Sequence, residues 1–283
     1  MTPTFVFVHG THSNSFTWGP MQRELALLGH RTLAVDLPGH GFGAAFPPSY
    51  HPPQDLATLA TEPSALAGGT LAEAVEHVVG VVREAAEHGP VVLVGHSRGG
   101  LTLTGVGNAI PGLIDRIVYI SAWCCVDRTA RGYAATPEHA TTVLYQTGDL
   151  LVGNPLAIGA LRFNWRTADP TLLAATKLSM LHDCTDHEFF AYLNTLEPDD
   201  ILDYGTAADR AQADTWGRIP RTYIRLTDDQ SMPPALQDLF IKEADILTPD
   251  NPFDVHSLAS SHVKFLVRPA PAATILAGLA ARL

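Results

Sequence analysis

The sequence predicts an α/β fold: a mostly parallel, doubly wound sheet of about six strands, with a mainly helical insertion after the fourth. Three observations predict it. Short continuous apolar runs recur, such as Phe5-Val6-Phe7-Val8 and Val91-Val92-Leu93-Val94, as in strands buried on both faces. Helical patterns alternate with these runs, through short connections, over the first 121 residues. That alternation stops at 122 and strands resume after 217. The expected division is therefore a core of residues 1–121 and 218–283, with 122–217 as the insertion.

Each element has its own signal. The first strand, 5–8, ends in His9-Gly10 and a polar loop over 11–15. A helical pattern around Met21, Leu25 and Leu28 stops at Gly29. A second strand over 32–35 runs into the turn-rich Asp36-Leu37-Pro38-Gly39-His40-Gly41. Residues 44–69 hold several prolines and no long period, and are expected as an irregular loop over the sheet. Thr70, with Glu73 three residues on, caps a helix whose apolar face is Leu71, Val75, Val78, Val79 and Val82; Gly89-Pro90 breaks it. The third strand, 91–94, enters Gly95-His96-Ser97-Arg98-Gly99-Gly100 and a helix to about 109. The run 117–120 is the fourth strand. Helical stretches with polar breaks then occupy 122–217. A strand over 222–226, a helix near 233–243, a strand over 254–258 and a last helix near 272–283 complete the chain.

Composition excludes several classes of function. The 283 residues are 46% hydrophobic and 17% charged, enough apolar material for a large core and too much for disorder. A net charge of −11 repels phosphate backbones and anionic lipid, so the expected partner is a small-molecule substrate, with neither nucleic acid nor membrane. No leader pattern and no span-length apolar window is present, and a cytoplasmic location is expected. Cys124, Cys125 and Cys184 form no CxxC pair; the first two follow an apolar run and are expected to be buried.

The chemistry centres on Gly95-His96-Ser97-Arg98-Gly99, a G-x-S-x-G pattern between a strand and a helix. Such a turn holds a serine hydroxyl proud of the sheet in strained dihedrals, and Gly95 and Gly99 leave room for it. A serine at its ordinary pKa is a poor nucleophile, so it needs a base and an orienting acid. Asp229 follows the strand 222–226, and His262 follows the strand 254–258, the chain order this turn requires. Asp228, one residue earlier, and Asp127, beyond the fourth strand, are the alternative acids. His256 lies within a strand and is expected to be structural. The backbone N–H groups of Thr11 and Arg98 are the expected oxyanion hole. Trp123 is the expected substrate-binding residue, and Phe163, Trp165, Leu178, Met180 and Leu181 are candidates for an apolar lining. This chemistry needs no metal or other cofactor, and His182-Asp183-Cys184 has no further ligand at metal spacing.

Taken together, Phe5-Val-Phe-Val-His-Gly, Asp36-Leu-Pro-Gly-His-Gly and Gly-His-Ser97-Arg-Gly-Gly resemble the α/β-hydrolase superfamily. Trp18 near the His-Gly loop, and the stretch from Tyr223 to Phe240, are similar to one branch: plant methylesterases, salicylate-binding esterases and hydroxynitrile lyases. The likeness spans both ends of the chain, and 122–217 matches loosely as that family's helical cap. It implies an α/β-hydrolase fold and a serine hydrolase that cleaves a carboxylic ester, thioester or lactone of a small, largely apolar substrate through an acyl-enzyme. The lyases of this branch have Thr where Gly10 stands, and Lys where Val263 follows the catalytic histidine. That Lys holds the cyanide charge, and its absence argues for ester hydrolysis over cyanohydrin cleavage. Ser97 also departs from the Asp nucleophile of epoxide hydrolases and dehalogenases. The alternative is a non-hydrolytic use of the fold, as a small-molecule receptor or a biosynthetic cyclase or lyase.

Overall fold

A computed structural model describes residues 2–283. The chain opens with β1 (Thr4–Val8), α1 (Gly19–Leu27) and β2 (Arg31–Val35). The stretch 44–69, expected as loop, contains one helical turn, α2 (Leu56–Leu59), capped by Asp55 Oδ1 accepting from the Thr58 N–H at 3.1 Å. Next come α3 (Leu71–Ala86), β3 (Val91–Ser97), α4 (Gly99–Ala109) and β4 (Arg116–Ala122). Thr70 and Glu73 form the expected capping box, and Leu71, Val78, Val79 and Val82 are buried beneath it.

Between 122 and 217 lie α5 (Ala130–Ala134), α6 (Pro155–Ile158), β5 (Leu161–Arg162), α7 (Pro170–Leu181), α8 (Asp186–Leu193) and β6 (Asp199–Asp200). The chain ends with β7 (Arg221–Leu226), α9 (Pro234–Leu247), β8 (Asp254–Leu258), α10 (Lys264–Val267) and α11 (Ala270–Ala280). The antiparallel pair β5–β6 is a departure from the helices expected there. Each of its strands is two residues long, and three of the four residues are charged, so no apolar run announces it.

The main sheet has six strands in the order β2-β1-β3-β4-β7-β8, all parallel. This is the α/β-hydrolase fold that the sequence predicts. Every residue of β1 is buried, as are the first six of β3, because helices cover both faces. The edge strands β2 and β8 alternate between more and less buried positions instead. Parallel strands finish at the same edge, so the loops after β1, β3, β4, β7 and β8 meet in one place. One irregularity matters there. Gly95 pairs with Tyr119 and His96 with Ile120, but Ser97 pairs with Ala122. Ser121 is thereby left over as a bulge, with φ of 38°.

Candidate active site

Ser97 ends β3 at the turn into α4 with φ of 53°, a left-handed conformation that costs a non-glycine residue energy. Close packing holds it there. A Cβ on Gly99 would stand 2.6 Å from the His9 carbonyl oxygen, and one on Gly95 would stand 2.5 Å from Leu103 Cδ1. Without those side chains, β1, β3 and α4 close together and the Ser97 hydroxyl stands clear of the sheet.

Ser97 Oγ lies 3.1 Å from His262 Nε2, and His262 Nδ1 lies 2.6 Å from Asp229 Oδ2. A carboxylate can only accept, so Nδ1–H donates to Asp229 and Nε2 presents its lone pair to the serine hydroxyl. Asp229 is 3% exposed. It accepts three further hydrogen bonds, from Ser121 Oγ at 2.6 Å and from the Ser231 and Met232 N–H groups at 2.8 Å each. The carboxylate is fixed from four sides. The β4 bulge is what turns Ser121 toward it.

The other candidate acids stand elsewhere. The Asp228 carbonyl accepts from His182 Nε2 at 2.9 Å, and the Asp127 N–H donates to the Tyr133 hydroxyl at 3.1 Å. Neither carboxyl bonds to His262. His256 pairs with Asp254 at 3.3 Å on the edge strand. The His96 ring packs 4.4 Å from the His262 ring. Burial, and then the neighbouring His262, hold the His96 pKa well below the usual range, so it supports that ring as a neutral group.

Ser97 and His262 open onto a cavity of about 370 Å³. Thr11 and Trp123 line it, as do Phe163, Trp165 and Met180 from the list of apolar candidates. Leu178 and Leu181 do not: the first is 42% exposed and the second is sealed in the core on the inner face of α7. The Arg98 side chain turns away from the cavity. It pairs with Asp200, donates to the Asp203 carbonyl and lies over the Tyr204 ring. Asp183 is spent on Lys264 at 2.9 Å and on the Ser261 N–H at 3.0 Å. Cys124 and Cys125 are buried as expected, and burial pushes the Cys125 thiol up to about 12.

Sequence reasoning missed what holds the far wall. Glu197 Oε2 meets His40 Nδ1 at 2.8 Å, and Glu197 Oε1 accepts from Asn14 Nδ2 and the Gly41 N–H, both at 2.8 Å. Asp199 takes a two-pronged contact from Arg162, at 2.6 and 2.7 Å, and Asp200 accepts the His12 N–H at 2.7 Å. Burial works against the Asp200 carboxylate, but the charges of Arg98 and His40 outweigh it and hold the pKa down at about 2. These contacts tie the 197–200 segment to the loops after β1 and β2. The only local signal was three acids crowded around Pro198, at 197, 199 and 200.

Comparison with known proteins agrees with this architecture. The profile described as the Alpha/beta hydrolase family matches residues 5–274. The chain belongs to that family. The hydrolase is 22% identical to a putative chloroplastic methylesterase 14 of Arabidopsis thaliana, over 94% of this chain and 68% of that one. It is 32% identical to a carbendazim hydrolyzing esterase of a Nocardioides species, over 50% of this chain and 45% of that one. The solved structure of a pyrethroid hydrolase from Sphingobium faniae superposes with a TM-score of 0.71 at 20% identity, covering 99% of this chain and 98% of that one. The likeness to the methylesterase branch is thereby borne out, and this α/β-hydrolase is an enzyme of the ester-bond-hydrolysing class. Among the described residues, no helix is long and apolar enough to cross a membrane.

Proposed function

We propose that this hydrolase cleaves carboxylic esters of small, largely apolar compounds through an acyl-enzyme on Ser97. The observation that carries the reading is the unbroken chain from Ser97 Oγ to His262 at 3.1 Å and from His262 to Asp229 at 2.6 Å, at the floor of an apolar cavity. In the first half-reaction His262 Nε2 takes the serine proton as Oγ attacks the ester carbonyl. The N–H groups of Thr11 and Arg98 stabilise the oxyanion, and the histidine passes its proton to the departing alcohol. In the second, water loses a proton to His262, attacks the acyl carbon, and frees the acid and the serine. Asp229 holds the imidazole in the required tautomer throughout.

Gly10 favours hydrolysis over the lyase chemistry of the branch. A Cβ there would stand 2.9 Å from Ser97 Cβ and 3.4 Å from Ser97 Oγ, so a side chain would intrude on the nucleophile. Residues 122–217 act as the cap. Trp123, Phe163, Trp165, Met180 and Tyr192 from this stretch give the cavity its apolar character, and Trp123 contacts the substrate.

The test is a fluorophosphonate probe followed by a panel of esters, thioesters and lactones. Ser97 is expected to be labelled, Ser97→Ala to resist labelling, and turnover to fall by about 10⁴-fold or more in the variant. Labelling without turnover across the panel would replace the esterase reading with a receptor or cyclase role.

A further inference from the structure

The polar groups of the cavity are divided unevenly. Most of its hydroxyls are already committed within the chain. Thr147, Thr176, Ser179 and Ser231 donate to the carbonyls of Leu144, Leu172, Thr176 and Ser179 at 2.7–3.0 Å, and Ser13 is paired with Thr17 at 3.0 Å. A group spent in this way offers little to a substrate. His12 is different. It lines the same cavity, follows the oxyanion-loop residue Thr11, and is 3% exposed. Its ring stacks on Phe163 at 4.7 Å and meets the edge of Trp165 at 5.3 Å. Nδ1 lies 3.2 Å from the Glu197 carbonyl oxygen, and Nε2 has no partner among the described residues.

The chemistry of Nε2 follows from the other nitrogen. A carbonyl oxygen can only accept, so Nδ1 carries the proton. Burial lowers the His12 pKa to about 4, against the opposing pull of Asp200, so the ring is neutral near pH 7. A neutral imidazole with its proton on Nδ1 has a bare lone pair on Nε2. Such an atom, buried between aromatic rings and unpaired, is costly to leave without a donor.

We propose that His12 Nε2 is a specificity-determining acceptor. It selects esters that carry a hydroxyl or N–H group within reach of the reacting carbonyl, and it disfavours those with only alkyl or carboxylate groups there. This rests on the esterase reading above. A donor-bearing substrate satisfies the lone pair. An alkyl substrate leaves it unpaired, and a carboxylate opposes it with a second acceptor. A site that hydrogen-bonds its substrate rejects the analogue lacking that group more strongly than an apolar pocket rejects one methylene.

The experiment uses the full chain and matched ester pairs in which a hydroxyl is replaced by methyl, placed two to five bonds from the carbonyl on the acid or the alcohol side. The best hydroxy ester is expected to exceed its methyl partner roughly 10-fold in kcat/KM. Two variants remove Nε2. His12→Asn keeps an amide nitrogen able to reach the Glu197 carbonyl and suits the left-handed backbone at this position, where φ is 57°. His12→Phe keeps the stacking on Phe163 and Trp165. In whichever variant folds, the hydroxy-to-methyl ratio is expected to fall to within about 2-fold of unity. A wild type that shows no preference in any pair, or a variant that retains it, overturns the proposal. If the wild type hydrolyses no ester at all, the Ser97 mechanism is what fails.

Discussion

The two sides of the candidate active-site cavity are built by different physics. On one side, Ser97, His262 and Asp229 sit at or just beyond the ends of β3, β8 and β7, so strands locked by their neighbours deliver the side chains. What fixes them is short range: backbone N–H groups, one bulge and one serine hydroxyl. On the other side, the 197–200 segment is pinned by buried charge: Glu197 to His40, Asp199 to Arg162 and Asp200 to Arg98. The lesson is a separation of labour. The sheet supplies the proposed reacting groups, and the ion pairs hold the 197–200 segment that packs against the aromatic wall. Damage to one side should therefore appear in kcat, and damage to the other in stability and KM.

The largest test of that separation is Asp229→Asn. It removes the acceptor that fixes the His262 tautomer, and kcat is expected to fall about 10⁴-fold with little loss of stability. Asp228→Asn and Asp127→Asn should stay within a few-fold of wild type in the same ester assay. A comparable collapse in either would mean that the acid has been misassigned.

Arg162→Met probes the opposite side. Arg162 is fully buried, holds Asp199 with two prongs and donates to the Leu59 and Glu62 carbonyls at 2.7 and 2.9 Å. Leaving Asp199 without its cation should cost about 3–5 kcal/mol in denaturant unfolding. KM should rise more than kcat falls. If kcat fell most, the two sides would not be separable.

Ser121→Ala sharpens the comparison from within the sheet. It takes one of the four hydrogen bonds from Asp229, worth about 1 kcal/mol, and an effect of a few-fold on kcat is expected. The smallest effect is one of pH. Burial pulls the His40 pKa down, but the Glu197 hydrogen bond and the Asp200 charge outweigh it, and the net shift is upward. A value raised in the folded state gives stability that is full below the unfolded value, about 6.5, and lost as pH rises through the folded one. The His40 contribution to the thermal midpoint should therefore decline above about pH 6.5, and the gap between wild type and His40→Gln should narrow as pH rises. His9 and His12, held at about 3 and 4 mainly by burial, bind a proton near pH 6.5 only when unfolded; they add stability as pH rises through that value and oppose the His40 trend, so the comparison with the variant is what isolates it.

How much could be read in advance follows the same division. β1, β3 and β4 are continuous apolar runs, and a strand buried on both faces has no other way to be written. Ser97 stood out because its turn needs glycines at fixed offsets, and His262 because it follows a strand. The sequence favours Asp229 but leaves Asp228 open beside it, since adjacent residues in a loop carry no label for the direction each side chain takes. Ser121 was invisible because the bulge that aims it exists only when β4 pairs with β3. Leu178 and Leu181 were misread because helical spacing gives the faces of α7 without saying which one meets the cavity.

The sequence by itself determined the parallel sheet, the serine turn and the class of chemistry, because each rests on neighbours along the chain: apolar runs, glycine offsets and strand-to-loop order. Tertiary structure alone decided which aspartate meets the histidine, how the 197–200 segment is fastened and what His12 packs against. Those outcomes depend on partners 33 to 188 residues apart, as in His262 with Asp229 and His12 with Asp200. Contacts over such distances are set by how whole elements pack, which no local pattern records.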